Sequence, residues 1–589
     1  MYLYERPFEP DYARLNDPAS LTHNRYGQSI ETVPEGDALR EQSLNINGDA
    51  RIGENPNRYK QHGFFFNADN CIACHACEAA CSEKNDVPAH LAFRSVGFVE
   101  GGTYPNMQRI NISMACNHCD DPVCLKGCPT RAYTKFAEYG AVLQDPDICF
   151  GCGYCTWVCP YNAPQLDPVK GEVSKCNMCV DRLEVGLKPA CAAACLGKAL
   201  DFGVIENIPE GRSQAKVEIP GFPRSDITHP NIRFQQTRVS QREMLRVDSA
   251  PLKYRRDDAA GAYKPMLDPK HGFGRQWNLK KLLGSHENAH IAFTLSVQAV
   301  MGAFAMLLAL GLKPLDTVAS LLAMVALMGF GLFRLNMHLG KPLRFYRGFN
   351  NWRLSPVSRE IAGVSLCFGG LAGYAFFSLF PGFPLAALLK PASAAAGLVG
   401  IALGGYYMVR LYRIKARPFW DHWQTGASFA GTGLGLGGLL LGLLALAQGV
   451  MSVELASALG GAMAAGFALE GVGLIFHARA MKSRGNEGAA SHYEQTTTYG
   501  WPYLLRNGLL GLALPLAAAL AMGGQAALFA PLALVAVAAA ILGRALFYVL
   551  VIPTTLPGAF FWRNKGFVEH ARETGLAKFP QMGVIAEKH

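Results

Sequence analysis

The sequence predicts two unlike halves on one chain: an α+β domain built around cysteine loops, then an all-α bundle of eight transmembrane helices. Three observations predict this. Sixteen of the seventeen cysteines lie between residues 71 and 195. Charged residues make up 17% of the chain against a hydrophobic share of 50%. That is below the roughly 25% charge of an ordinary soluble domain, so an apolar part dilutes the rest. The dilution starts near residue 288, beyond which Leu, Ala and Gly dominate.

Residues 1–60 are polar and rich in Asn, Gly, Pro, Asp and Arg. They read as an N-terminal extension, either disordered or wrapped over a partner. Residues 61–205 form the cysteine domain. Its cysteines fall into four groups: Cys71, Cys74, Cys77 and Cys81; Cys116, Cys119, Cys124 and Cys128; Cys149, Cys152, Cys155 and Cys159; Cys176, Cys179, Cys191 and Cys195. The first and third groups read C-x2-C-x2-C-x3-C, the run in which three thiolates hold one cubane and the fourth ligates the other cluster of a pair. Three close thiolates on a tight loop cap one face of a cluster, and a helix carries the fourth away. Four such groups imply a double ferredoxin-like unit with four [4Fe–4S] clusters. Zinc is the competing reading for the fourth group alone, since zinc prefers two separated cysteine pairs. Disulfides are disfavoured because nothing marks this region as secreted. Strands are expected at 63–70, 140–148, 171–175 and 199–204. Residues 206–285 are polar, Pro- and Arg-rich and without periodicity, and are expected to be a connector on the surface.

Residues 286–556 form the membrane anchor, and 557–589 a cytoplasmic tail. About 20 apolar residues cross a hydrocarbon core. Eight candidate spans meet that length: 289–312, 315–337, 360–382, 392–414, 425–448, 452–478, 502–523 and 526–552. The glycine-rich start of the fifth span points to close helix packing. Lys and Arg crowd one side of this topology, including Lys280, Arg334, Arg344, Arg353, Arg410, Arg479, Arg506 and Arg563; the other side offers Lys313 and Lys390. The positive-inside rule puts the crowded side, and with it the cysteine domain, in the cytoplasm of a bacterial inner membrane. The first residues show no apolar signal region and no twin arginine, which agrees. The same placement accounts for most of the net charge of +10 without invoking nucleic acid.

Polar groups inside spans are costly and mark function. Glu470 and Arg544 stand at similar depth in the sixth and eighth spans and are expected to pair or to face one polar cavity. A structural ion pair, a proton path and a quinone pocket are all open readings. His290, His338, His422 and His477 all lie near the cytoplasmic ends, so a transmembrane bis-histidine haem lacks ligands and no haem is expected. A quinone needs a hydrogen-bonding group at each carbonyl, and His338 and Glu360 can supply them. Equally, His338 can cap a helix and Glu360 can be an acid favoured by a first-turn dipole.

The four cysteine groups, with Cys128-Pro129, Cys159-Pro160 and the run Lys175-Cys-Asn-Met-Cys-Val-Asp-Arg182, resemble the iron–sulfur subunit of dimethyl sulfoxide reductase-type molybdoenzymes. His338-Leu-Gly-Lys-Pro342 and Ser358-Arg-Glu-Ile361 resemble the eight-helix anchor of the same complexes. The resemblance covers most of the chain and implies a fusion of the two subunits. It implies that Cys71, Cys74 and Cys77 share a cluster with Cys195; Cys176, Cys179 and Cys191 with Cys81; Cys116, Cys119 and Cys124 with Cys159; and Cys149, Cys152 and Cys155 with Cys128. Ser82 and Leu196 replace the proline common after Cys81 and Cys195. The resemblance also implies a quinone site at His338 and Glu360, and a separate catalytic subunit carrying molybdopterin. The chain itself is then a non-catalytic subunit that passes electrons between that partner and membrane quinone. A cytoplasmic partner suits sulfite oxidation. The alternatives are quinol-driven reduction of a sulfoxide or N-oxide, and a redox-coupled proton-translocating module.

Overall fold

The computed structural model describes residues 9–554 apart from 16–20, 42–43, 45–54, 89, 213–215, 239–240, 247–249, 259–261, 271–276 and 285–286. The tail expected at 557–589 lies outside the described residues. The chain divides between Met266 and Leu267 into two compact units.

The cluster unit begins with β1 (His62–Asn67), α1 (Ala76–Lys84), β2 (Arg94–Gly101) and β3 (Gln108–Ala115). Then follow α2 (Val123–Gly127), β4 (Tyr133–Lys135), β5 (Val142–Gln144), α3 (Tyr154–Val158), β6 (Gln165–Asp167) and β7 (Glu172–Ser174). It continues with α4 (Val180–Glu184), α5 (Ala190–Ala193), β8 (Leu200–Val204), β9 (Ile232–Gln235), β10 (Glu243–Arg246), β11 (Leu252–Arg256) and β12 (Tyr263–Leu267). Strand β1 is buried along its whole length, carrying Phe64, Phe65 and Phe66 into the core. It pairs antiparallel with β8 and parallel with β9. A second sheet runs β12-β11-β10-β2-β3, and β4-β5 and β6-β7 are hairpins. Each of the four strand positions expected from sequence holds a strand: β1, β5, β7 and β8.

Two expectations need correction. Residues 206–266 are not a surface connector: β9 completes the central sheet, with Ile232 and Phe234 buried, and β10, β11 and β12 extend the second sheet. The buried ion pair of Arg233 with Glu206, 2.5 Å apart, anchors this return. Local patterning missed β9 and β10 because their partners, β1 and β2, lie far away in sequence, and buried Arg233 and Arg246 break the apolar alternation; β11 and β12 then add to the edge of β10. The described part of 1–60 also packs on its own unit rather than standing apart as an extension. Ala13, Ile30 and Val33 are buried, Asn24 donates to Asp120 at 2.6 Å, and Arg25 pairs with Glu206 at 3.0 Å, all within the same unit.

In the membrane unit, α6 (Leu279–Leu283) precedes α7 (Asn288–Ala309), α8 (Val318–Met337), α9 (Pro356–Leu379), α10 (Ala386–Arg410) and α11 (Gln424–Ala447). Then come α12 (Val453–Arg484), α13 (Glu487–Thr496), α14 (Gly500–Gly523) and α15 (Phe529–Val549). Among the described residues, eight helices are long and apolar enough to span a membrane. The fourth starts before Pro391, which lies inside it, rather than after that residue. The sixth runs on to Arg484 and stops at Gly485, whose φ of 65° supplies the left-handed cap; Lys482 and Arg484 suit the negative end of its dipole. The short α13 was not expected; Asn486 caps it by accepting from the Gly488 amide at 3.0 Å. Glycines set the helix spacing, as expected for α11. A Cβ on Gly302 of α7 would stand 1.9 Å from the Gly433 carbonyl of α11, and one on Gly437 would stand 2.6 Å from the Ala303 nitrogen.

Candidate functional site

Each cysteine loop turns through left-handed backbone: Ala73 and His75 in the first, His118 in the second, Gly151 and Gly153 in the third, Met178 and Cys179 in the fourth. In the first three loops the turn gathers three thiols, and in the fourth Cys191 joins Cys176 and Cys179 from α5. A short helix then separates the third cysteine from the fourth; Cys128 ends α2 and Cys159 ends α3. The fourth thiol therefore leaves its own group. Cys71 has Cys77, Cys195 and Cys74 as electrostatic neighbours. Cys119 has Cys116, Cys159 and Cys124. Cys155 has Cys152, Cys149 and Cys128. Cys81 lies with Cys191 and Cys179, and Cys176 with Cys81 and Cys179. The quartets also adjoin one another. Cys77 neighbours Cys191, Cys176 neighbours Cys116, and Tyr133 lies against Cys155 and Cys124.

Every one of these thiols is free of disulfides. Burial, and then the neighbouring sulfurs, push the Cys119 and Cys176 thiols well above the ordinary range. Four deprotonated sulfurs cannot share such a pocket unless cations sit among them. A cavity of about 20 Å³ lies among Cys116, Cys119, Cys124 and Cys159. Backbone amides point at the sulfurs: Leu200 at Cys195 (3.2 Å), Gly151 at Cys149 (3.3 Å) and Met178 at Cys176 (3.4 Å). Donor set, cavity and amide donors fit iron–sulfur clusters.

In the membrane unit, His338 ends α8 and its Nδ1–H donates to the Leu335 carbonyl at 2.9 Å. Its ring meets His290 edge-on, with centroids 4.4 Å apart, and His290 lies 5.8 Å from the Tyr548 ring. His290 Nδ1 is 2.9 Å from Glu287. The Tyr548 and Tyr412 hydroxyls are 2.6 Å apart. Tyr412 has both Tyr548 and Glu360 as electrostatic neighbours. Glu360 itself is buried on α9. His338 and Glu360 thus border one polar cluster with His290, Tyr412 and Tyr548. From the sequence, His290 is weighed as a haem ligand only, and both tyrosines pass unnoticed because they carry no spacing signal.

Glu470 and Arg544 line one cavity of about 30 Å³ with Gln424, Ser428, Thr432, His477, Gln495 and Arg506. Among the described residues they share the cavity without a direct ion pair. Arg544 donates to Gln298 at 2.8 Å, and its guanidinium stands 3.9 Å from the Phe429 ring centre. Arg506, expected among the charges of the cytoplasmic surface, is 4% exposed and faces this cavity, because helical periodicity turns it inward. Gln298, mid-span in α7, is a polar signal legible in the sequence but not used there.

Residues 107–205 match the family described as a 4Fe-4S dicluster domain, and residues 282–550 match the family of the DMSO reductase anchor subunit (DmsC). One chain of the anaerobic dimethyl sulfoxide reductase of Escherichia coli is 39% identical over 180 residues, 29% of the present chain and 87% of that protein. The chain is a fused iron–sulfur and membrane-anchor subunit of the dimethyl sulfoxide reductase family. Within that family, one subunit of the sulfite dehydrogenase of Allochromatium vinosum is 36% identical over 158 residues, 23% of the present chain and 66% of that protein. The iron–sulfur subunit of the Escherichia coli nitrate-inducible formate dehydrogenase is 36% identical over 179 residues, 27% of the present chain and 60% of that protein. As a member of the dimethyl sulfoxide reductase family, the chain is a multi-pass membrane protein that carries iron–sulfur clusters and works beside a catalytic subunit.

Proposed function

We propose that this subunit carries electrons between a separate molybdopterin catalytic subunit and membrane quinone, through four [4Fe–4S] clusters. The observation that carries the reading is the series of four cysteine quartets, each adjoining the next. When bound, such clusters supply one-electron transfer. The chain holds them by Cys71, Cys74, Cys77 and Cys195; Cys81, Cys176, Cys179 and Cys191; Cys116, Cys119, Cys124 and Cys159; and Cys128, Cys149, Cys152 and Cys155. Burial keeps water from most of the sulfurs, Cys74 being exposed, and amide donors orient Cys195, Cys149 and Cys176.

At the membrane end, His338 and Glu360 bind the quinone carbonyls, and Glu360 takes or returns the proton. The Tyr412–Tyr548 pair and His290 are suited to orient them. Glu360→Gln is expected to lower quinone turnover by about 100-fold or more with iron content unchanged. Unchanged turnover would remove Glu360 from the site.

The positive-inside charge bias favours a cytoplasmic cluster domain at the bacterial inner membrane. A catalytic partner on that side suits oxidation of sulfite with quinone as acceptor. Sulfite-dependent quinone reduction in inverted membrane vesicles, lost on deletion of this chain, is the expected result. A vesicle preparation silent to sulfite but active in quinol-driven reduction of a sulfoxide or N-oxide would reverse the direction. The higher identity to the dimethyl sulfoxide reductase relative favours that second reading. The cavity of Glu470, Arg506 and Arg544 favours a further reading, proton movement coupled to turnover. In sealed vesicles, Glu470→Gln would then reduce proton uptake per electron. An unchanged ratio leaves the cavity a structural one.

A further inference from the structure

Arg94 opens β2 and is 3% exposed. The side chains that act most strongly on its charge are sulfurs of two different quartets: Cys77 of one, and Cys191, Cys176 and Cys81 of the next. Its Nη1 donates to the Ser113 hydroxyl at 3.0 Å, and that hydroxyl stands 3.4 Å from Cys77 Sγ. The guanidinium carbon lies 4.5 Å from the centre of the Phe64 ring. Among the described residues, its Nε and Nη2 have no hydrogen-bond partner, and no carboxylate pairs with it. A guanidinium is always charged, and burying it unpaired is costly. Elsewhere in the same unit, two buried arginines are matched to carboxylates, Arg233 to Glu206 and Arg58 to Glu184. Arg94 is different: among the described residues, its counter-charge is the sulfur of two metal sites.

We infer that Arg94 is a fixed cation wedged between two adjoining clusters, and that it raises the reduction potential of both. The inference rests on the four-cluster reading. Reduction adds one electron, making a cluster more negative. A cation held nearby in a low-dielectric interior stabilises the reduced form more than the oxidised one. The effect is selective. None of the four sulfurs that act most strongly on Arg94 belongs to the quartet of Cys128, Cys149, Cys152 and Cys155. Arg94 therefore sets a step in potential along the series, keeping one end easier to reduce than the other.

The test uses the full chain in membranes, with iron and sulfide assayed first and each cluster followed by paramagnetic resonance during a redox titration. In Arg94→Gln, the midpoints of the two clusters flanking residue 94 are expected to fall, with the farthest cluster's midpoint unmoved. Arg94→Lys keeps a charge and is expected to recover part of the shift. Ser113→Ala, which leaves the cation in place, is expected to move the Cys77-ligated cluster alone. If Arg94→Gln loses iron, the Lys and Ser113 variants decide the matter by the same titration. Four clusters with unmoved midpoints, or one equal shift in all four, would overturn the role of Arg94 and leave the relay intact. Fewer than four clusters in the unaltered chain would instead overturn the four-cluster reading.

Discussion

The two units bury charge in opposite ways. In the cluster unit two buried arginines pair directly with carboxylates: Arg233 meets Glu206 at 2.5 Å and Arg58 meets Glu184 at 3.0 Å. In the membrane unit Arg544, Arg506 and Glu470 surround a shared cavity, and Arg544 satisfies itself on the neutral Gln298 and Thr432. The backbones differ in parallel. The cluster unit bends its loops with left-handed residues so that side chains converge. The membrane unit removes side chains at glycines so that helices converge. Charge in the first unit locks a fold whose strands come from distant parts of the chain. In the second, the apolar helices hold the fold, and charge keeps a polar space open within it.

Four measurements can break or sharpen that contrast. The largest effect belongs to the cysteine quartets. Cys119→Ala is expected to remove one cluster's worth of iron and sulfide per chain while the helices still insert in the membrane. Unchanged iron content would dissociate that quartet from metal. Next is Arg233→Met, which leaves the buried Glu206 only Arg25 as a charged partner and is expected to cost up to about 3–5 kcal/mol, the range for breaking a buried pair. Arg544→Met removes only neutral hydrogen-bond partners and is expected to cost less, about 1–3 kcal/mol. Denaturation of both variants, followed by protease resistance of each unit, compares them directly; equal costs would erase the distinction.

The third measurement is an acid titration of the cluster unit. Burial, its main cause, lowers the His62 pKa from 6.5 to about 4. Between those values the unfolded state takes up the proton and the folded state does not, so stability falls as pH drops from 6.5 toward 4. At pH 4 the loss from this group approaches about 3 kcal/mol. His62→Gln is expected to flatten that part of the profile, seen as a smaller drop in unfolding temperature on acidification. The smallest effect belongs to the helix seam. Gly302→Ala puts a Cβ on the Gly433 carbonyl, and overpacking of that kind costs about 1–3 kcal/mol. Its signature is weaker association of α7 with α11, read by crosslinking, with cluster content intact.

Legibility followed the range of the interactions. The cysteine groups were readable because most of their members sit close together in sequence, and left-handed turns at Ala73, His118 and Gly151 are local features; which cysteine crosses to which group followed from the family resemblance. The eight spans were readable because a bilayer demands length and apolarity from each segment by itself. The strands β9 and β10 were not, because they pair with β1 and β2, far back in the chain, and β11 and β12 only extend the edge that β10 sets. The inward facing of Arg506 was not legible, because its helix position sets which way it faces and a list of charges has no direction.

The amino-acid sequence by itself determined the cysteine loops, the number of spans and the small residues at their seam, since each depends on spacing within one segment. It also marked Glu360, His338, Glu470 and Arg544 as polar groups that need a reason. Only the tertiary structure decided what surrounds them. It brought His290 to His338, placed Tyr548 against Tyr412, opened the cavity that Arg506 shares with Glu470, and set Arg94 between two quartets. These arrangements arise where separate elements pack together. Their energies belong to pairs of distant residues, which no single stretch of sequence contains.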